Sequence, residues 1–388
     1  MRVVVAPDCF TGTLSATQAA EAMADGWASC APWDELVQLP LSDGGPGFLD
    51  VLSRALPGRT VSVTVSDPLG RAVPAAVLLV GEGDGAAAYI ESAQACGLHL
   101  LADGERDPTL TSSYGVGELI DAALLEGART VVVGLGGSGT NDAGAGMLAA
   151  LGAGSVRRLA RGGLALEQLA DDALVGLGDV RGRLRGVDLV LATDVDAPLL
   201  GFHGASAGFA AQKGATPEQA QRLERALGRF TEVAGRALPP TRDLLTRAER
   251  RLDREAGAGA AGGIGYGLLL LGGHRVSGVE AVLRAVGFEQ LIRHADLVLT
   301  GEGSFDWQSL RGKVVAGVAA SAAAQAVPTV VVAGQTHVGR REAMALGING
   351  VYAVAERPEQ LAPALADPAG TLAARTARVA ATWSPRPA

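Results

Sequence analysis

Lysine is nearly absent from this chain of 388 residues: Lys213 and Lys313 are the only two, and arginine carries the rest of the positive charge. Cysteine is equally sparse. Cys9, Cys30 and Cys96 are scattered without metal spacing, which excludes a disulfide framework and points to a reducing compartment. The five histidines show no zinc-type pairing. Positive charge does not balance negative charge, and the net charge of −8 argues against broad nucleic-acid binding and against anionic membrane surfaces. No apolar run reaches the roughly 18 residues of a membrane span. The chain opens on a strand-like run, MRVVVAPD, with no signal-peptide pattern, so the expectation is a cytoplasmic protein. What is abundant is apolar surface and glycine. At 48% hydrophobic and 19% charged, the chain can bury a sizeable core, enough for two or three domains. Its 54 glycines gather in short polar turns rather than in a collagen period.

The densest of those turns is Thr130–Met147, TVVVGLGGSGTNDAGAGM. A β-branched run ends in glycines and opens a helix-like segment, Met147–Leu151. Glycines let backbone N–H groups approach an anion, and a helix N-terminus adds partial positive charge. Ser138, Thr140 and Asn141 add hydroxyl and amide donors, and Asp142 could face a cation. The alternative is a plain strand-to-helix turn without a ligand. The segment lacks the Gly-Lys-Ser/Thr of a Walker A loop. Gly134–Gly139 spells GxGxxG, but no acid lies between Asp142 and Glu167, so a dinucleotide site is not expected.

The rest of the chain alternates strands and helices. Arg2–Ala6, Leu189–Ala192, Ala295–Thr300 and Pro328–Ala333 read as buried strands, and Leu36–Leu39 as a short strand. Val61–Val65 is a further strand, and Ala75–Val80 with Ala86–Ile90 reads as an antiparallel pair around Gly81–Gly85. Ser15 is placed to cap a helix over Ala16–Ala28, Tyr114–Glu126 ends at Gly127, and Thr216 with Pro217 starts a polar helix to Leu227. Arg242–Glu255 reads as a solvated, charged helix. Gly257–Gly267 is either a flexible loop or a close-approach turn. The pattern is α/β with parallel sheets. Asp8, Asp43, Asp194, Glu302 and Gln335 each follow a strand, where open α/β sheets bind ligands, although an isolated acid there is more often a turn or cap residue.

Acids and glycine turns without a nucleophile–histidine pair point away from acyl transfer and toward phosphoryl transfer. That reaction needs positioning, Mg²⁺, cations on the transferring group and a carboxylate to take a proton. Lys213 and Lys313, each beside a glycine, are either such cations or ordinary solvated lysines.

Taken together, the motifs resemble the glycerate kinases of the two-domain bacterial type that make 2-phosphoglycerate. The resemblance rests on Ala6–Phe10, Ser42–Gly45, Asp67–Arg71, Tyr114–Glu118, Gly136–Gly144, Asp194–Val195, Gln212–Ala215, Ala260–Gly263, Thr300–Gly303 and Asp306, Gln308, Gly312, Lys313. It implies an ATP- and Mg²⁺-dependent kinase acting on a hydroxyl of the small molecule D-glycerate. It also implies a Rossmann-like parallel-sheet domain with an inserted second α/β domain and an active site in the cleft between them. The expected boundaries are 1–65 plus 290–388 for the first domain and 66–289 for the insert. On this reading Gly136, Gly137, Ser138, Gly139, Thr140 and Asn141 bind phosphate. Asp194 takes the hydroxyl proton, Asp8 lies on the acceptor side, and Asp43, Glu302 and Asp306 hold Mg²⁺ or the acceptor. Lys213 and Lys313 neutralise the transferring phosphate. No nucleic-acid or membrane partner is expected, and the oligomeric state is left open.

Four positions depart from the family pattern. Thr11 stands where the family usually has lysine, Pro46 where it has glutamate, Ala197 where it has asparagine and Ser304 where it has arginine. Each charged hydrogen bond lost removes roughly 1.5–3 kcal/mol. Arg71 or Arg311 could compensate. Two alternatives therefore stand beside the glycerate reading: a kinase for a different small hydroxy compound, and a non-catalytic paralog that binds a nucleotide or organic acid.

Overall fold

The computed structural model describes residues 1–238, 250–310 and 312–386. Most of the expected Arg242–Glu255 helix, and Arg311, lie outside the described residues; the described end of that stretch carries a single 3-10 turn, Leu252–Arg254. The chain divides into two compact units: Met1–Asp43, Asp50–Leu56 and Val279–Ala388 form the first, and Gly44–Leu49 and Pro57–Gly278 the second. The architecture is α/β throughout. No helix among the described residues is long and apolar enough to cross a membrane.

The first unit is built on a five-stranded sheet in the order Ile348–Ala353, Thr329–Ala333, Leu297–Thr300, Arg2–Val5, Glu35–Gln38, all parallel. Val3–Val5, Leu297–Leu299 and Val330–Val332 are fully buried, as β-branched runs without polar alternation require. Numbered by appearance, the strand order is 2-1-3-4-5. This is the flavodoxin-like member of the doubly wound class, and its order reverses between the first and third strands. Helix Ala16–Cys30 begins with a full capping box: Gln18 N donates to Ser15 Oγ at 3.2 Å and Ser15 N to Gln18 Oε1 at 2.9 Å. Such a cap is worth about 1 kcal/mol. The helix buries Ala19, Ala20, Met23 and Trp27. Gly26 passes so close to the backbone of Ala373, in helix Pro368–Trp383, that no side chain fits there.

The second unit holds a six-stranded sheet in chain order: Gly58–Ser66, Ala72–Val80, Ala87–Glu91, Thr130–Gly134, Asp188–Ala192, His274–Val276. The first two pairings are antiparallel, with Val80 paired to Ala87 across the glycine turn, and the remaining three are parallel. Helix Pro217–Ala237 runs well past Leu227, because its apolar stripe continues through Phe230, Val233 and Ala234.

Candidate active site

In the first unit, three carboxylates gather where the parallel strands end. Asp8 follows the first strand, Asp43 lies beyond the second and Glu302 follows the third. The first and third strands are neighbours, so Asp8 and Glu302 flank the point where the strand order reverses. The two loops are stitched together: Asp8 N donates to Gly301 O at 2.8 Å, and Thr300 Oγ1 to Ala6 O at 2.7 Å. Burial raises the Asp8 carboxyl to about 7, and the charges of Asp43 and Glu302 add to that rise against the N–H of Cys9. Burial likewise raises Glu302 to about 7; Ser309 and Lys313 pull it down, and Asp306 and Asp43 push it up. Glu302 Oε1 is buried without a hydrogen-bond partner among the described residues. A buried, orphaned anionic oxygen among mutually repelling carboxylates is a costly arrangement that a hard cation would relieve.

Asp43, Glu302 and Asp306 are not a ready-made metal cage. Among the described residues no three His, Cys, Asp or Glu side chains converge on a metal position. Asp306 also accepts the N–H of Gln308 at 2.8 Å, within its own turn. Mg²⁺ commonly takes only one or two protein carboxylates and completes its shell with water and phosphate oxygens, so the donor set fits that ion. Of the cations considered, Lys313 is close enough to Glu302 to stabilise its charge. Arg71 does not replace a missing cation. It pairs with Asp67 at 2.5 Å and Glu105 at 2.7 Å and donates to Leu100 O. Thr11 and Ser304 are exposed.

In the second unit, the glycine turn after strand Thr130–Gly134 has a rim and a floor. Gly136 and Gly137 reach the surface, Gly137 with φ 63°. The N–H groups of Gly136, Gly137 and Ser138 have no acceptor among the described residues, which is what an anion cradle requires. A Cβ on Gly136 would lie 2.5 Å from Gly45 Cα, and one on Gly137 2.7 Å from Pro46 Cγ. The proline at the departed position thus packs against the rim. Gly139, Thr140 and Asn141, expected to face phosphate, form the floor instead: Gly139 N donates to Cys96 O at 2.7 Å, and Thr140 and Asn141 are wholly buried. Thr140 Oγ1 and Asn141 Oδ1 are buried without partners among the described residues, while Asn141 Nδ2 donates to Ser206 Oγ at 3.0 Å.

Lys213 is not a surface lysine. It is 2% exposed, and its Nζ donates to Thr140 O at 2.7 Å and to Ser138 Oγ at 3.0 Å. Burial lowers it to about 8, against the pull of Cys96 and Asp142. Asp142 faces no open cation position. Its carboxylate accepts from Ser113 N, Ser113 Oγ, Gly144 N and Gly146 N at 2.8–3.2 Å, so it ties the end of the turn to helix Ala145–Ala150. The open question over Gly257–Gly267 resolves to a close-approach turn. Ala261, Gly262 and Gly263 all have positive φ, a side chain on Gly262 would collide with Thr140 O, and Ala143 N donates to Gly262 O at 3.0 Å. Ala143 and Ala261 hold left-handed conformations without being glycine, so the two facing turns store strain where they meet.

Asp194 follows strand Asp188–Ala192 in this same unit. Its Oδ1 accepts from Ser277 Oγ at 2.6 Å and from Gly278 N at 3.0 Å. Neither partner stood out in the sequence. The nearest available signal was the Ser-Gly pair before a helix, a common cap pattern that gives no hint of which carboxylate it holds.

Comparison with known proteins agrees with this layout. The sequence model of the "Glycerate kinase family" matches residues 3–384. A glycerate kinase of Bacillus subtilis (strain 168) is 41% identical over 360 residues, covering 91% of this chain and 90% of the relative. A glycerate 2-kinase of Escherichia coli (strain K12) is 39% identical over 340 residues, 86% of this chain and 85% of the relative. A crystal structure described as glycerate kinase 2 from Salmonella typhimurium LT2 superposes with a TM-score of 0.76 at 37% identity, covering 98% of each chain. With parallel strands ending in acids, a glycine turn with open N–H groups and a family match across nearly its whole length, the chain belongs to the glycerate kinase family.

Proposed function

We propose that this protein transfers the γ-phosphoryl group of ATP to a hydroxyl of D-glycerate, forming 2-phosphoglycerate with Mg²⁺ as the metal. Family membership supplies the reaction. The observation that carries the assignment for this chain is the acidic cluster at the strand-order reversal, with Glu302 Oε1 buried and without a partner among the described residues. When bound there, Mg²⁺ would draw negative charge from the phosphate oxygens during transfer.

Each unit supplies its own chemistry. Glu302 and Asp43 hold the metal, and Asp306 stays in its turn as an outer partner. The rim N–H groups of Gly136, Gly137 and Ser138 take phosphate oxygens. Lys213 lies beneath them, holds the turn's shape through Ser138 and Thr140, and raises its positive potential. Gly139, Thr140 and Asn141 support the rim from below. Lys313 balances charge beside Glu302 and the transferring group. Asp194 accepts the hydroxyl proton, its carboxylate fixed in direction by Ser277 and Gly278.

A second reading gives the proton to Asp8. Burial and the charge of Asp43 raise its carboxyl to about 7, close to the pH at which a base works best. Phosphorus NMR of the product from D-glycerate tests the proposal: a 2-phosphate signal supports it, and a different phosphate ester, or none, overturns it.

A further inference from the structure

We infer that the second unit carries an additional binding site for a small polyanion bearing phosphate or carboxylate groups, in an arginine-lined pocket. The pocket has a volume of about 570 Å³. Its walls include Arg157, Arg158, Arg161 and Arg222, against Glu167 as the single acid. That is an excess of three positive charges in a chain whose net charge is −8.

The guanidinium groups are incompletely paired. Arg222 reaches Glu167 at 3.1 Å, and Arg158 reaches Asp172 at 3.4 Å between two exposed side chains. Arg157 and Arg161 make no hydrogen bond or ion pair among the described residues. Both are exposed and stand at the end of the short helix Val156–Leu159, so they add charge to the same mouth. With Arg158 and Arg222 each paired to an acid, Arg157 and Arg161 leave two uncompensated positive charges on the walls of one pocket, which favours an anion with more than one negative charge. Guanidinium forks suit phosphate and carboxylate because two parallel N–H donors meet two oxygens. The exposed Leu110 adds an apolar edge to the wall.

The pocket lies behind the glycine turn rather than at its rim. Leu164 N donates to Thr109 O at 3.1 Å, joining two walls. Two residues beyond Thr109, Thr111 Oγ1 donates to Gly139 O at 2.8 Å, and Gly163 packs directly on Asn141 O. Arg222 stands on helix Pro217–Ala237, whose cap Thr216 follows Lys213 by three residues. The walls of the pocket and the floor of the turn are therefore parts of one packed layer.

Calorimetric titration of the full chain with inorganic pyrophosphate, and separately with citrate, tests the site. Three proteins are compared: wild type, Arg157→Gln/Arg161→Gln, and Lys213→Met, which weakens anion binding at the rim while keeping the buried volume. The expected result is a binding event that Lys213→Met leaves in place and that the double arginine variant weakens at least about tenfold, with a steep fall as salt rises. Binding of pyrophosphate alone identifies a phosphate ligand, and binding of citrate as well identifies a general polyanion site. If the double variant binds both probes as wild type does, or if Lys213→Met removes all binding, there is no such site. Both arginines are exposed and make no ion pair among the described residues, so the double variant is expected to fold, and a circular dichroism melt checks this.

Discussion

Lys213 Nζ lies 2.7 Å from Thr140 O and 3.0 Å from Ser138 Oγ, so a buried ammonium group ties together the floor and rim of the glycine turn. Replacing it by methionine keeps the volume and removes a desolvated charge, so the melting temperature is expected to hold or rise. ATP binding should suffer instead, with KM for ATP rising about 10- to 100-fold, the worth of one or two charged hydrogen bonds. Steady-state kinetics with a parallel thermal melt separates the two effects. A Lys213→Met enzyme with wild-type KM would rule out the tether.

The same lysine sets a pH dependence. Its folded value of about 8 lies below the ordinary 10.5, so above pH 8 the free protein loses the ammonium charge while an unfolded chain would keep it. Stability should therefore rise between about pH 8 and pH 10, because the unfolded state binds the extra proton. Affinity for ATP should fall across the same range. Lys213→Arg, which stays charged, should flatten the affinity profile; a sloping profile in that variant points to another group.

The acidic cluster titrates in the opposite sense. Asp8 and Glu302 both stand near 7 in the folded protein, well above their ordinary values. As pH rises from about 4 to 7, the unfolded chain ionises freely while the folded carboxyls resist. Stability is therefore full below that window and is lost through it, by at most about 4 kcal/mol for Asp8. Without Mg²⁺, the melting temperature should fall between pH 5 and pH 8. Asp8→Asn should shrink the fall, and Mg²⁺ should raise the melting temperature more at pH 8 than at pH 5. A melting temperature flat across that range, in wild type and variant alike, contradicts the cluster as described.

The identity of the proton acceptor is separable by substitution. Asp194→Asn keeps the shape of the carboxylate and can still accept from Ser277 and Gly278, so only basicity is removed. If Asp194 is the base, kcat should drop about 10²- to 10⁴-fold with little change in KM. Full turnover in Asp194→Asn, with the loss transferred to Asp8→Asn, assigns the role to Asp8.

The rim of the turn tolerates no side chain at Gly136, where a Cβ would press on Gly45 Cα, a backbone atom that cannot swing away. Gly136→Ala should destabilise the protein by roughly 1–3 kcal/mol and weaken nucleotide binding together. Denaturant melts and nucleotide titration of the same sample measure both. A variant as stable as wild type would mean that the Gly44–Pro46 turn does not lie against the rim.

Much of this layout was legible in the sequence because it rests on local rules. Unbroken β-branched runs marked the parallel strands, Ser15 and Thr216 marked helix starts, and acids just beyond strand ends marked Asp8, Asp43 and Glu302. What could not be read depends on contacts between distant segments. A lysine beside a glycine looks the same whether solvated or buried, and only packing distinguishes them for Lys213. Asp142 reads as a candidate cation contact until Ser113, 29 residues earlier, is seen to donate to it twice. Thr140 and Asn141 look like ligand donors until the Ala261–Gly263 turn closes over them. Helix Pro217–Ala237 extends past the end its sequence suggests, because its polar composition masks a narrow apolar stripe.

The most direct test of the central claim is release of ADP by the purified full chain with ATP, Mg²⁺ and D-glycerate, against a control lacking glycerate. Glycerate-dependent turnover is expected despite Thr11 and Ser304, and it is lost on removing Mg²⁺. A folded protein that releases no ADP with D-glycerate contradicts it and leaves another hydroxy compound, or a binding role, as the function of this site.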